Sequence, residues 1–485
     1  MSIKDLDPQI VWKNFYGLTQ IPRPSKHEAQ VIEYLYNWGK EHGLETLKDE
    51  TGNIIIRKPA TPGFENRRGV ILQGHMDMVP QKTSDSPHDF LKDPIKTLID
   101  GEWVTADRTT LGADNGIGVA MGLSVLEDPS VEHGPVEVLV TYDEETGMTG
   151  ANELRPGVLK GDILINLDSE EEGELCVGCA GGLDATAAFK YYKYNTPKGF
   201  CGLCIKVSGL QGGHSGMDIS LYRANANKVM ARILLPLVEL FGARPVSFTG
   251  GSLRNAIPFE AVAEILVPEE NLEAVKKLIA SIFAETRAEF IDSDPGMALE
   301  VKDVPAAPKY IQVSTFLRAL KAMIACPSGV IRMSRTMEGL TETSINMAIV
   351  RTEKGKIIIH SLMRSAVDTA KADLAERLRC IFELAGADDI SFAGGYSGWT
   401  PKLDTPMNKV MMEQYEKVYG KPMKIMATHG GLECAIMGAK YPNWEMVSVG
   451  PTIKYPHSPD ERVNIPSVAR TWEYLKAVLR NVPEK

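Results

Sequence analysis

Between residues 69 and 170 the chain repeats one pattern, a short apolar run that ends on acids or a histidine. Gly69-Val-Ile-Leu-Gln-Gly74 runs into His75-Met-Asp77, residues 136–142 run into Asp143, Glu144 and Glu145, and residues 162–167 run into Asp168. Unbroken apolar runs of this length predict strands buried on both faces. Helical periods lie before and between them. One covers 8–20, and a second is opened by a capping box at Ser25-Lys-His-Glu28 and ends near Gly43. A Gly-rich loop at 110–118 enters a helix that ends near Glu127, and a short helix surrounds Asn152. Residues 44–49 and 53–57 read as a hairpin joined at Thr51-Gly52. Strands alternating with helices predict an α/β fold, a mostly parallel sheet flanked by helices. In such sheets ligands gather outside the carboxyl ends of the strands. His75, Asp77, Glu144, Glu145 and Asp168 are therefore expected to converge.

From about residue 185 the pattern changes. An exposed-face strand at 261–267 is followed by an amphipathic helix at 272–283, and residues 356–363 and 370–382 repeat that strand–helix arrangement. The repetition predicts an inserted α+β domain of two similar halves. Gly394-Gly395-Tyr-Ser-Gly marks a return to the first domain. It continues with a helix at 407–419, a helix opened by Thr428-His-Gly-Gly-Leu-Glu433, a strand at 445–450, a loop carrying His457 and a last helix at 467–481. The expected organisation is a catalytic domain in two parts, 1–184 and 392–485, interrupted by a second domain at 185–391.

Composition narrows the function classes. A chain of 485 residues with 44% hydrophobic and 24% charged residues can bury a large core in more than one domain. A formal net charge of −10 with no basic tract argues against nucleic acid and anionic membrane as partners. The first residues lack a basic region followed by an apolar stretch, and no apolar run is long enough to span a bilayer. The seven cysteines are odd in number, which fits thiols in a reducing, cytoplasmic setting. Cys176-Val-Gly-Cys179 and Cys201-Gly-Leu-Cys204 have ligand spacing, but neither is followed by ribbon-like polar sequence. Cys204-Ile-Lys-Val-Ser alternates like a strand, so buried small side chains are the better reading.

Adjacent carboxylates at the end of an apolar strand repel one another and are costly to desolvate, and a metal ion relieves both problems. His75, Asp114, Glu145, Asp168 and His457 supply the nitrogen and oxygen donors that suit zinc, cobalt or manganese. Five ligands exceed one open tetrahedral site and suit two ions sharing a carboxylate. Asp114, on a loop leading into a helix, is the expected bridge. Such a pair holds a water, lowers its pKa and clamps an oxyanion, with Glu144 left over as general base. Asp77, two residues beyond His75, can take the hydrogen bond of the other ring nitrogen. Each residue alone has a plainer role: Asp114 as a helix cap, the Asp-Glu-Glu run as a helix N-terminus, His457 as an exposed loop residue.

Taken together, Leu72-Gln-Gly-His75-Met-Asp77, Gly112-Ala-Asp114-Asn-Gly, Asp143-Glu-Glu-Thr-Gly147, Asn166-Leu-Asp168 and Pro456-His457-Ser-Pro resemble the dinuclear zinc peptidases that include aminoacylase, carboxypeptidase G and carnosinase. The resemblance runs nearly full length. It implies that His75, Asp114 and Asp168 hold one zinc, that Asp114, Glu145 and His457 hold the other, that Glu144 is the general base, and that Asp77 is a second active-site acid. It also implies a lid domain. There His214, in Gly-Gly-His-Ser-Gly, polarises the scissile carbonyl, while Asn255 and Arg364 hold the terminal carboxylate of a small peptide substrate. Arg364 paired with Asp368, four residues on, is the structural alternative. The implied activity is metal-dependent dipeptide hydrolysis of broad specificity, extending to a carboxyl-terminal histidine. The rivals are an N-acyl-amino-acid deacylase or carboxypeptidase on the same scaffold, and a metal-stabilised binding protein. A duplicated lid either replaces a dimer partner or forms a dimer interface, so a homodimer stays open.

Overall fold

The computed structural model describes residues 2–485. Backbone packing divides the chain into two compact units. The first comprises the chain up to Gly178 with Pro401–Ala427 and Leu432–Lys485, and the second comprises Cys179–Thr400 with Thr428–Gly431.

The first unit is built on an eight-stranded sheet with strands in the order Glu45–Lys48, Ile54–Lys58, Val136–Thr141, Val70–His75, Ile163–Asn166, Glu445–Ser448, Glu174–Cys179 and Lys424–Thr428. Val70–His75 pairs in parallel with Val136–Thr141 on one side and with Ile163–Asn166 on the other, and Glu445–Ser448 continues the parallel pairing beyond Ile163–Asn166. The first three of these strands are buried throughout, as their unbroken apolar sequences require. The Glu45–Lys48 and Ile54–Lys58 hairpin pairs antiparallel at the edge. The helix Ala113–Glu127 is buried from 113 to 126 and packs against Gln9–Thr19, which explains why its sequence is apolar on every side.

The capping box expected at Ser25 is not formed. The helix Ala29–Glu41 starts with Glu28 at the N-cap, and the left-handed Lys26 (φ 69) turns the backbone out of cap geometry between Ser25 and Glu28. The Ser25 hydroxyl instead donates to Asp77 Oδ2 at 2.8 Å.

The second unit contains a nine-stranded sheet whose main order is Ala298–Val304, Phe200–Ser208, Ala261–Pro268, Arg244–Gly250, Thr341–Glu353, Lys356–Ser365, Gly181–Lys190 and Asp389–Tyr396, with Gly329–Met333 pairing off this path. Its halves share one connectivity. Each runs strand, helix, two antiparallel strands, helix, strand, and each lays its strands in the order last, first, third, second. One half is Phe200–Ser208 through Ala298–Val304. The other begins with Gly181–Lys190, resumes at the helix Val313–Ala325 and ends with Asp389–Tyr396, so the first half is nested inside the second. They join where Thr249 and Gly250 pair with Arg351 and Val350. No helix among the described residues is long and apolar enough to cross a membrane.

Candidate metal centre

The register of the parallel strands places the candidate residues in one row. His75 pairs with Thr141, and Gln73 pairs with both Leu139 and Asn166, so the chain leaves the sheet at 75, 142 and 167 on the same edge. Beneath that edge lies a buried polar ladder. Asn166 Nδ2 donates to Gln73 Oε1 at 2.6 Å, and Gln73 Nε2 donates to Thr141 Oγ1 at 3.2 Å and to Glu433 Oε2 at 2.6 Å. Thr141 Oγ1 donates to the same Glu433 oxygen at 2.7 Å. Polar side chains in an otherwise apolar sheet stiffen the platform from which the acids project, because each is tied to the next.

Asp143 turns the chain. It sits at φ 50, and its two carboxylate oxygens accept hydrogen bonds from the hydroxyls of Thr146 and Thr149. The helical turn Glu144–Gly147 follows, and its first N–H groups are received by Asp77, with Glu144 N to Oδ1 at 3.0 Å and Glu145 N to Oδ2 at 3.3 Å. Asp77 Oδ1 also lies 3.3 Å from His75 Nδ1, whose second neighbour is the Asp77 backbone oxygen at 3.2 Å. Burial acts against the charge of Asp77, but hydrogen bonds from His75, the Glu144 N–H and the Ser25 hydroxyl hold its pKa below the usual value. Asp77 thus orients an imidazole and the Glu144-Glu145 backbone together.

With Nδ1 turned to Asp77, His75 presents Nε2 to Asp114 Oδ1 at 3.1 Å and Asp168 Oδ1 at 3.4 Å. His457, a half-exposed residue at φ 59, presents its Nε2 to Asp114 Oδ2 at 3.0 Å and Glu145 Oε2 at 3.0 Å. Each Asp114 oxygen therefore faces a different imidazole, and each imidazole faces a second carboxylate. Asp114 does not extend regular helix, since it has φ −77 and ψ 110. Asn115 beyond it donates to Leu167 O at 2.7 Å, and it crosses over Gly74, where any Cβ would strike its side-chain oxygen.

Burial and neighbouring charges pull these groups in opposite directions. Burial pushes Asp168 up to about 7, with the neighbouring charges of Asp114 and Glu145 adding to it. Glu433 is likewise raised to about 7 by burial. Glu144 is raised well above its usual value by burial, and Asp168, Glu433 and Glu145 add to the rise. Hydrogen bonds to Asp114 and Glu145 lift His457 to about 11. Burial would raise Asp114 too, but hydrogen bonds from His457 and His75 hold it below the ordinary carboxylate range. Glu145 Oε1 is buried and accepts no hydrogen bond, which is costly for a carboxylate unless another charge answers it. The donor set of two imidazoles and three carboxylates, with this orphaned oxygen, fits divalent metal ions. Among the described residues, the groups with ligand atoms close enough to hold an ion are His75, Asp114 and Glu145, and Glu28, Asp77 and Asp143. No cysteine belongs to either. Cys176 and Cys179 lie on Glu174–Cys179, and Cys201 and Cys204 lie on Phe200–Ser208, a strand of the second unit's sheet.

The remaining candidates belong to the second unit. Arg364 is only 5% exposed, yet among the described residues no carboxylate lies within ion-pair distance of its guanidinium. It makes long contacts of 3.4 Å to Ser215 Oγ and Tyr396 OH. Asp368 does not pair with it, and its Oδ1 accepts instead from Lys371 Nζ at 2.8 Å and from the Gly398 N–H at 2.9 Å. His214 Nδ1 accepts the N–H groups of Gly216 at 3.3 Å and Met217 at 3.2 Å, which leaves the ring proton on Nε2. Asn255 has an exposed side chain, and its backbone oxygen accepts the Ser215 N–H at 2.8 Å. Sequence reasoning missed His429, whose Nε2 lies 2.7 Å from Ser344 Oγ while Nδ1 is buried without a partner. It also missed Arg23, Glu433 and Glu461 of the first unit, whose only sequence signals are a charged residue between two prolines, an acid at a helix start and an acid in polar loop sequence.

The model of Peptidase family M20/M25/M40 matches residues 71–481. Cytosol non-specific dipeptidase of Escherichia coli (strain K12) is 44% identical over 487 residues, covering 100% of both chains. The crystal structure of aminoacylhistidine dipeptidase from Vibrio alginolyticus superposes with a TM-score of 0.95 at 45% identity, covering 100% of this chain and 99% of that one. A tripeptidase from Staphylococcus aureus shares the fold at a TM-score of 0.51 and 17% identity, covering 98% of this chain and 99% of that one. With its strand-end acids, its paired imidazoles and its full-length likeness to these peptidases, the chain belongs to Peptidase family M20/M25/M40.

Proposed function

We propose that this peptidase hydrolyses free dipeptides at a centre of two divalent metal ions, one held by His75, Asp114 and Asp168 and the other by Asp114, Glu145 and His457. The observation that carries this reading is Asp114, with one oxygen 3.1 Å from His75 Nε2 and the other 3.0 Å from His457 Nε2. A carboxylate set between two imidazoles in this way is suited to bridging. Zinc, cobalt and manganese all fit the donors. The names of the E. coli and Vibrio relatives support dipeptides of broad specificity in the cytosol, with aminoacyl-histidine among them.

When bound, such ions supply Lewis acidity, lowering the pKa of water and stabilising an oxyanion. The protein's own groups do the rest. Glu144 takes the proton of the attacking water as its oxygen adds to the peptide carbonyl carbon, and gives that proton to the amine as the C–N bond breaks. Its backbone N–H on Asp77 fixes where it stands. Arg364, buried without an acidic partner, takes the substrate's terminal carboxylate, with Asn255 beside it. His214, protonated on Nε2, donates to the scissile carbonyl oxygen. A carboxylate anchor and a carbonyl donor together select the peptide bond next to a free carboxyl terminus, which a dipeptide offers.

Hydrolysis of a dipeptide panel against N-acetyl amino acids tests the substrate class. Turnover of dipeptides in clear preference is expected, and deacylation without dipeptide hydrolysis would overturn it. Arg364→Lys keeps the charge but loses the bidentate fork. It is expected to raise KM for dipeptides about 10- to 100-fold, with kcat changed less, in line with a charged hydrogen bond of about 1.5–3 kcal/mol.

A further inference from the structure

We infer that Glu461 is a positioning residue that sets Asp114 between the two imidazoles by tying its loop to the loop of His457. The inference rests on the dinuclear reading above and deepens it.

Glu461 is 2% exposed, and its carboxylate accepts four consecutive backbone N–H groups. Leu111 N and Gly112 N donate to Oε2 at 2.7 and 3.0 Å, and Ala113 N and Asp114 N donate to Oε1 at 2.8 and 3.2 Å. The last three belong to the N-cap and first positions of a buried helix, whose N–H groups find no partner within the helix itself, and Leu111 precedes them. A serine or aspartate cap on the loop would receive one of them, or two at most. Here one carboxylate receives all four, and it comes from a segment more than three hundred residues away in sequence. That segment is the one between Ile453–Lys454 and Arg462–Asn464, which also carries His457. The Glu461 backbone is itself held, since its oxygen accepts from Thr105 Oγ1 at 2.8 Å.

The opposite face of the same loop is gripped by Arg23. Its guanidinium donates to Gly112 O at 2.5 Å, Met76 O at 2.9 Å and Asp77 O at 3.0 Å. Gly112, at φ 70, has no room for a Cβ against the Arg23 guanidinium and Met78 Sδ. Arg23 thereby joins the Asp114 loop to the end of the strand that bears His75, and Glu461 joins it to the loop that bears His457. The two imidazoles that face Asp114 are referenced to its backbone by two buried groups of opposite charge. Neither group touches the reacting atoms. Their effect is to hold the Asp114 loop where its carboxylate stands between the two imidazoles.

Glu461→Gln keeps the volume but turns an NH2 group toward two N–H donors, so half of the loop's acceptors are lost. Glu137→Gln is the control. Glu137 also receives two backbone N–H groups, from Lys160 at 2.7 Å and Gly161 at 2.8 Å, while Arg57 Nε donates to its other oxygen at 2.7 Å, but it has no part in the centre. Zinc affinity is read on the full chain by competition with a chromophoric chelator, beside thermal melting. In Glu461→Gln the weaker of two binding steps is expected to fall about 10- to 100-fold, the usual cost of losing a ligand-orienting partner. In Glu137→Gln both steps should stay at the wild-type value even where melting drops equally. Should Glu461→Gln fail to fold, Glu461→Asp, which keeps the charge but shortens its reach, is expected to weaken the same step. Wild-type zinc affinity in the folded Gln variant, or in the Asp variant where Gln does not fold, would overturn the inference and leave the dinuclear reading standing. Fewer than two ions on the wild type would overturn both.

Discussion

Glu144→Ala is expected to lower kcat on dipeptides by about 10²- to 10⁴-fold, the range in which a positioned general base acts, while metal content stays at the wild-type value. The two parts of that result are separable because Glu144 and Glu145 do different work from adjacent positions. Glu145 Oε2 lies 3.0 Å from His457 Nε2, within the row of facing donors. Glu144 has no ion pair among the described residues. Its backbone N–H is held by Asp77 Oδ1 at 3.0 Å, so removing its side chain leaves the helical turn Glu144–Gly147 anchored. A Glu144→Ala protein that loses metal along with activity would assign Glu144 to the ligand set. One that turns over at the wild-type rate would remove it from the mechanism. KM is expected to change little, because substrate carboxylate binding is assigned to Arg364.

Asp114→Asn is expected to be the most damaging change in the ligand set. The variant replaces one carboxylate oxygen with an NH2 group, so a donor faces an imidazole nitrogen and one negative charge is lost at the point where two ions are expected to meet. Loss of one equivalent of metal is expected. Activity should fall about 10²- to 10⁴-fold, because a Lewis acid worth several kcal/mol is lost and each 1.36 kcal/mol is a factor of ten. Metal analysis alongside kinetics checks it. Two equivalents retained with full activity would show that the bridge lies elsewhere. The fold should survive, because the backbone N–H of Asp114 is received by Glu461 at 3.2 Å and the side-chain change leaves that bond intact.

What the sequence disclosed follows from where the information is local. An apolar run ending in acids is legible without knowing its neighbours, and the row formed by His75, Glu145 and Asp168 follows from the strand-end rule for α/β sheets. The duplicated halves were legible as two strand–helix pairs. Their nesting was not, because it depends on Gly181–Lys190 meeting Lys356–Ser365, a pairing of segments about 170 residues apart. Ser25 and Glu28 have the spacing of a capping box, but the left-handed Lys26 between them frees the Ser25 hydroxyl for Asp77. Arg364 and Asp368 have the spacing of a helical ion pair, yet Arg364 lies on the strand Lys356–Ser365 and Asp368 opens the next helix, so the spacing carries no contact.

The residues that escaped sequence reasoning share a cause. Glu461, in Ser-Pro-Asp-Glu, has the composition of a solvated loop, and Glu433 reads as an acid favoured at a helix start. Both turn inward to buried partners supplied by distant segments: the N–H groups of 111–114 for Glu461, Gln73 and Thr141 for Glu433. Arg23 between Pro22 and Pro24 reads as part of a rigid break, but it is buried against Gly112 and the 76–77 backbone. A charged side chain reveals that it is buried only through what it touches, and that is set by the fold.

The central claim is that Asp114 bridges two metal ions. Anomalous diffraction from crystals of the zinc-loaded protein tests it most directly. Two anomalous peaks about 3.5–4 Å apart are expected, one beside His75 and Asp168, the other beside Glu145 and His457, with an oxygen of Asp114 on each. A single peak, no peak at these residues, or a peak among the cysteine pairs would contradict the account.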